Sequence, residues 1–369
     1  MWMELKGGQN YKLEMSDKLY VCQTLLYGGA FMWNAIQCAV QGRSHIKSGI
    51  PCQDKTYSVV DDNIQVIALA DGAGSAKFSH YGAEAVTKFI CLELVEKFDT
   101  YFATENGVAV KQEILERVLK NLSTTAKKLE CEIKELASTL LLVAIKDDKF
   151  IIAHIGDGVI GYLKNNEMKI ASQPENGEFV NTTVFTTSKD AIMTMKLIKG
   201  FLGTIQGFVL MSDGPEARLY SKQENKLADV LKKIMHMSTI ISIDKIQEQV
   251  RQSFESTIIK ETTDDCSMAM LVKTNDSFKG YLKLSNKGKR ELLKIKFASP
   301  KKIIRRYDDL LVYLQNKRSI HQIARKIHLK PKYAQRYIDK LRMLNFIEKN
   351  SGYYHTILIM DIENGMTDE

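Results

Sequence analysis

No two of the six cysteines, at positions 22, 38, 52, 91, 131 and 266, are spaced as CxxC, and no cluster of His and Cys accompanies them. That excludes both a disulfide framework and a zinc site of ordinary spacing, and leaves reduced thiols as the expectation. Internal repeats and low-complexity tracts are also missing, and with 44% hydrophobic and 26% charged residues the composition is that of a globular protein. The start, MWMELKGGQNY, has neither the basic opening nor the continuous apolar core of a signal peptide. Residues 19–42 contain no Asp, Glu, Lys or Arg, a length that a membrane span would fit. Gln23, Asn34, Gln37 and Gln41 interrupt it, however, and Gly28-Gly29 sits near its middle, so two strands joined by a glycine turn are expected. The expected location is cytoplasmic, without a membrane partner.

Charge is unevenly placed. Residues 279–350 hold 21 Lys and Arg against 5 Asp and Glu, a net of +16, so with a total of +8 the remainder carries −8. A mildly acidic body with a strongly basic tail implies two domains, as does the length of 369 residues.

From about residue 36 to 273, short apolar runs end in turn signals: IQVIALADG (64–72), FIIAHIGDG (150–158), GFVLMSDG (207–214) and CSMAMLV (266–272) all read as strands. Between the first two, Ala83, Val86, Ile90 and Leu94 recur near the helical period, residues 108–137 read similarly, and a further helical stretch covers 222–258. Strands, two helices, then more strands predict an α+β layered domain. The lysine-rich stretch 276–304 reads as a basic linker. Beyond it, YDDLLVYLQ, SIHQIARKIHL and KPKYAQRYIDKLRMLNFI predict three helices before a hairpin-like EKNSGYYHTILIM. That is the order of a winged helix-turn-helix. The expected boundaries are 1–35 for an N-terminal strand or hairpin extension, 36–275 for the main domain, 276–304 for the linker and 305–362 for the winged helix.

Three of the predicted strands end in Asp-Gly: Asp71-Gly72, Asp157-Gly158 and Asp213-Gly214. A fourth acidic pair, Asp264-Asp265, precedes its strand. Antiparallel neighbours bring one strand's end beside the next one's start, so all four can meet at one sheet edge. Carboxylates gathered there repel unless cations lie between them. Hard oxygen donors without His or Cys select Mg²⁺ or Mn²⁺.

The pieces GRSHIKSGIPCQDK (42–55), ALADGAGS (68–75), STLLLVAI (138–145), HIGDG (154–158), PENGEFVNTTVFTT (174–187), LMSDG (210–214) and TTDDCSMAML (262–271) occur in an order that resembles the PPM (type 2C) phosphatases, within them the compact bacterial branch. The resemblance covers about residues 36–273. It implies a four-layer α-β-β-α sandwich of antiparallel sheets flanked by helices. It implies a metal-dependent enzyme that hydrolyses phosphoserine and phosphothreonine in proteins, by direct attack of water held between two metal ions. Two or three Mn²⁺ or Mg²⁺ ions are implied. Asp71 would bridge two of them, with the Gly72 carbonyl on one, Asp213 and Asp264 on the other, and Asp157 facing a third. Asp54 would orient the water, and Gln53 stands where the family has Glu.

The Arg that the family places about four residues before this pair is missing, since Gly49 stands there. Arg43, His45 and Lys47 are the cations at hand. His45 is either a phosphate contact and general acid for the leaving oxygen or a loop histidine with no such role. The loop Ser172–Thr187 takes the place of the family's variable flap. The partners implied are a phosphoprotein substrate and a cognate serine/threonine kinase. In the tail, Lys332, Gln335, Arg336 and Lys340 are candidates for DNA contact on the predicted recognition helix. The competing reading makes the chain a DNA-binding or protein-interaction regulator whose phosphatase-like domain is a sensor or pseudoenzyme.

Overall fold

The computed structural model describes residues 2–5, 9–12, 32–61, 63–174, 183–274 and 280–360. The described chain falls into two compact units. The first draws on residues 32–235 and 247–273 with the N-terminal strands, and the second on 236–246 with 280–360.

Two sheets form the frame of the first unit. Its strands are β1 (Trp2–Leu5), β2 (Gln9–Lys12), β3 (Met32–Val40), β4 (Lys55–Val60), β5 (Ile64–Ala70), β6 (Leu140–Lys146), β7 (Lys149–Ile155), β8 (Val159–Lys164), β9 (Glu167–Ser172), β10 (Lys196–Phe201), β11 (Ile205–Met211), the short pair β12 (Tyr220–Ser221) and β13 (Lys226–Leu227), and β14 (Cys266–Thr274). A seven-stranded sheet runs β2-β1-β10-β7-β6-β5-β4, and a five-stranded sheet runs β3-β14-β11-β8-β9. The pairings of β5 with β6, β6 with β7 and β11 with β14 are antiparallel. These are the expected strands, and their uninterrupted apolar runs have a physical reason, because the sheet is covered on both faces.

Alternation along each strand divides the core. Val66 and Ala68 of β5, Leu142 and Ala144 of β6, and Ile151 and Ala153 of β7 face two helices, α2 (Ser79–Ala103) and α3 (Gly107–Lys128). From α2 come Val86, Ile90, Leu94 and Phe98; from α3 come Ile114, Val118 and Leu122. The intervening residues Ile67, Leu69, Leu141, Val143 and Ile152 point the other way and meet Ile160, Phe208, Leu210, Ala269 and Leu271 of the second sheet. The buried Glu93 of α2 accepts from a terminal nitrogen of Arg117 in α3 and from the Tyr101 hydroxyl, each at 2.7 Å, so its buried charge is paired.

Helix α1 (Arg43–Ser48) lies between β3 and β4, and α4 (Asp229–Met237) and α5 (Ile243–Ser256) precede β14. Several expectations need correcting. The helix expected over 108–137 stops at Lys128, where Glu130 turns left-handed at φ 51°, and residues 133–136 form a separate 3-10 turn. The stretch 222–258 opens as a turn and strand β13, and helix begins only at Asp229; there are two helices, separated where Thr239-Ile240-Ile241 crowds β-branched side chains. The glycine turn at residues 28–29 lies outside the described residues; of the strand pair expected there, β3 is described.

The stretch 276–304 is not a bare linker. It contributes α6 (Asn286–Leu292), which Ser285 caps by accepting from the Gly288 amide at 3.1 Å. Tyr281 is fully buried and donates to Asp308 at 2.8 Å, and Lys289 reaches the same carboxylate at 3.0 Å. Charge density concealed the few apolar anchors, Tyr281, Leu293 and Ile295, that fold this segment into the second unit. There it joins α7 (Lys301–Tyr313), α8 (Ile320–Lys326), α9 (Pro331–Met343) and the strand pair β15 (Ile347–Asn350) and β16 (Tyr353–Thr356). Ser351 and Gly352 both take positive φ, 49° and 84°, as a two-residue hairpin turn requires. No helix among the described residues is long and apolar enough to cross a membrane.

Candidate active site

Three strands deliver carboxylates to one place. Asp71 follows β5, Asp157 follows β7 and Asp213 follows β11, and ligand oxygens of all three lie within 4.8 Å of one another. Asp71 is held at both backbone ends by Thr139: its amide donates to Thr139 Oγ1 and its carbonyl accepts from the Thr139 amide, each at 2.8 Å. The glycine after Asp213 has a steric reason. A Cβ on Gly214 would overlap the carbonyl oxygen of Asp265. Asp157 Oδ2 accepts from Thr183 Oγ1 at 2.5 Å, so the described part of the expected flap touches the cluster; residues 175–182 of that flap lie outside the described residues.

Asp54 is almost wholly buried beside this cluster. Its Oδ2 accepts from Ser212 Oγ at 2.8 Å, and that hydroxyl accepts in turn from the Ser267 amide at 3.0 Å. Burial pushes the Asp54 carboxyl up to about 7, against the lowering effect of the Ser267 and Ser212 hydroxyls. Burial, then the charges of Asp54, Asp213 and Asp157, raise Asp71 well above the usual carboxylate range. Asp213 is pushed up to about 6 by burial and by Asp157 and Asp264. Such crowding is unfavourable unless positive charge enters. Asp54 Oδ1 and Asp213 Oδ1 are buried without a hydrogen-bond partner among the described residues, which leaves two anionic oxygens unsatisfied. Hard, anionic, converging and unsatisfied oxygens fit a divalent cation such as Mg²⁺ or Mn²⁺.

Residues 41–253, more than half of the chain, match the family described as protein phosphatase 2C. The chain belongs to the protein phosphatase 2C family. It is 24% identical over 249 residues to serine/threonine-protein phosphatase 3 of Escherichia coli strain K12, covering 63% of this chain and 95% of that protein. Among solved structures, the serine/threonine phosphatase Stp1 from Staphylococcus aureus is 16% identical with a TM-score of 0.46, covering 65% of this chain and 95% of that one. The catalytic domain of the phosphatase PstP, in complex with two manganese ions, is 14% identical with a TM-score of 0.44, covering 66% and 100%. By family, the protein is a metal-dependent protein serine/threonine phosphatase.

The other candidates from the sequence fare unequally in this phosphatase. Gly72 is buried against Ser79, within van der Waals reach of its side chain. Asp264 is exposed and lies outside the tight trio; its Oδ1 accepts from the Asp265 amide at 2.9 Å. Gln53, which stands where the family has Glu, is buried, and its Nε2 donates to Ser79 Oγ at 2.7 Å. Arg43 is likewise committed: Nε donates to the Thr262 carbonyl at 3.1 Å, in α1's grip on the segment before β14. His45 faces inward, with Nδ1 at 3.0 Å from Asp265 Oδ1. Asp265 and Ser212 escaped the sequence reading. The Asp-Asp pair was visible, but nothing in the order of residues shows which member turns inward, and Ser212 precedes a motif Asp without signalling its own role.

Proposed function

We propose that this 2C-type phosphatase hydrolyses phosphoserine and phosphothreonine esters of proteins at the Asp71–Asp157–Asp213 cluster. The observation that carries this reading is the convergence of three carboxylates within 4.8 Å, with two neighbouring oxygens left unsatisfied. Two or three Mn²⁺ or Mg²⁺ ions, held by Asp71, Asp157 and Asp213 with the Gly72 carbonyl and Asp264 in support, would when bound neutralise phosphoryl oxygens and lower the pKa of the attacking water. The chain's own residues do the rest. Asp54, fixed by Ser212, orients the attacking water by accepting its hydrogen bond. Thr139 keeps the Asp71 backbone in place, so the carboxylate needs no rearrangement as charge develops. His45, the inward-turned cation-capable side chain of the segment where the family's arginine is missing, meets the phosphoryl group or its leaving oxygen. The intact cluster argues against a pseudoenzyme. The test is hydrolysis of a phosphothreonine peptide by the full chain. Turnover with Mn²⁺ that stops in chelator is expected, and unchanged turnover in chelator would refute the reading.

The finer architecture is part of the same proposal. Helices α2 and α3 cover one face of the seven-stranded sheet, while Met235 of α4 lies over Gly207 and Gln247 of α5 hydrogen-bonds Gln37. These contacts support a four-layer α-β-β-α catalytic unit over 36–275. Three helices followed by a two-stranded hairpin support a winged helix-turn-helix over 305–362 that binds DNA through α9. Lys332 and Arg336 are exposed there without a carboxylate partner among the described residues, and Arg336 lies 5.5 Å from the Tyr333 ring centre. Gln335 is tied to Asp339 at 2.8 Å, and Lys340 reaches the Lys294 carbonyl at 3.4 Å. The proposed contact set therefore narrows to Lys332 and Arg336. A serine/threonine kinase that phosphorylates the same substrate is the partner this activity would oppose.

A further inference from the structure

One carboxylate outside the metal cluster collects two backbone donors, with a histidine beside it, all from a part of the sequence more than 200 residues away. Asp265 Oδ1 accepts from the Gly42 amide at 2.6 Å, and Oδ2 accepts from the Gln53 amide at 2.5 Å. Beside them lies His45, whose Nδ1 is 3.0 Å from Oδ1. That distance is right for an ion pair, although the ring sits off the line of a hydrogen bond, and Nδ1 is otherwise unsatisfied. The Cβ–Cγ torsion that would have to turn to align it is a soft one. The Asp265 side chain is 2% exposed and the His45 side chain 14%. The surroundings are stiff: a Cβ on Gly42 would strike the Asp264 backbone, and one on Gly214 the Asp265 carbonyl. The Ser44 amide and hydroxyl both bind the Thr263 carbonyl, at 3.0 and 2.6 Å.

The consequence falls on the imidazole. A buried carboxylate accepting at Nδ1 decides which ring nitrogen carries a proton there and which faces outward. Nδ1 is turned to Asp265, and Nε2 has no protein partner among the described residues while the ring keeps its partial exposure. Gln53, held by the same carboxylate, directly precedes Asp54. We propose that Asp265 is a positioning residue for the phosphatase reaction: it holds His45 by Nδ1–H and so presents Nε2 to the substrate phosphoryl group. It thereby serves the corner of the site that lacks an arginine. This rests on the phosphatase reading, but its geometric half does not need turnover.

Two measurements on the full chain decide it. The first is two-bond proton–nitrogen NMR of the histidine rings in metal-free protein, with His45 assigned by its loss in His45→Ala. A protonated Nδ1 that loses its proton or its low-field position in Asp265→Ala is expected. An unprotonated Nδ1 in the wild type would overturn the proposal whether or not the enzyme is active. The second is a double-mutant cycle on kcat/KM with Mn²⁺. Asp265→Ala should lower it at least about tenfold in the wild type, as loss of an orienting partner does. In a His45→Ala background the same change should cost less than about twofold, because contacting residues that act as a unit are non-additive. An equal loss in both backgrounds would show that Asp265 acts through the backbone or Asp264 instead, and would reject the positioning role. If Asp265→Ala does not fold, the isosteric Asp265→Asn takes its place, since it must turn an amide NH₂ toward at least one of the three groups. A wild-type protein inactive on every phosphoester would refute the phosphatase reading, while the protonation state of His45 read by NMR would still decide the geometric half.

Discussion

At the scale of single residues, the site depends on what is left unpaired as much as on what is paired. Asp71, Asp157 and Asp213 were legible in the sequence because each ends an apolar strand and precedes a glycine. Antiparallel order puts Asp71 and Asp157 at the same end of one sheet, but Asp213 follows a strand of the other sheet, so the carboxylates meet between two stacked sheets and not at the one sheet edge expected from the sequence. The fates of Arg43 and Gln53 were not legible, since the Thr262 carbonyl and the Ser79 hydroxyl that engage them lie 219 and 26 residues away. His154, in the same HIGDG motif, has a separate part to play. It is buried, with Nδ1 at 2.6 Å from Ser172 Oγ, and burial followed by the nearby Lys196 charge lowers its pKa to about 3. Between about pH 3 and 6.5 the unfolded chain binds a proton there that the folded chain refuses, so stability rises with pH across that window. The contribution is complete above pH 6.5 and is lost as pH falls. Denaturant titrations at several pH values should show that His154→Asn removes up to ~1.4 kcal/mol per pH unit of slope. Parallel wild-type and variant curves would contradict this.

At the scale of elements, periodicity predicted the strands and the body of α2, and missed where backbone conformation departs from propensity. Glu favours helix, yet Glu130 ends the run that began in α3. The same contest decides a substitution in α2. Gly82→Ala would ordinarily stabilise a helix interior by roughly 1 kcal/mol. Here a Cβ would overlap the Leu136 carbonyl, where α2 packs on the 3-10 turn at 133–136. Overpacking costs about 1–3 kcal/mol, so the sign should reverse and the variant should be less stable than wild type. Chemical denaturation reads the sign directly; a more stable variant would mean that the turn yields without cost.

At the scale of the whole molecule, charge asymmetry announced two parts, and the chain divides into two compact units. The sequence concealed that the lysine-rich stretch belongs to the second unit, because three apolar anchors among many lysines leave little periodic signal. For that unit, selection of duplex DNA from a random pool should enrich one motif, and Arg336→Ala should relax one base position by about 1–3 kcal/mol. Salt dependence alone would accompany any basic surface, so failure to enrich a motif is the contrary result. The central claim concerns the first unit and is met most directly by calorimetric titration of Mn²⁺ into metal-free protein. Saturable binding by the wild-type chain is expected, with loss of that binding in a folded Asp213→Asn variant, because Asp213 supplies an unsatisfied oxygen to the cluster. Equal Mn²⁺ binding by wild type and variant, or none by the wild type, would contradict it.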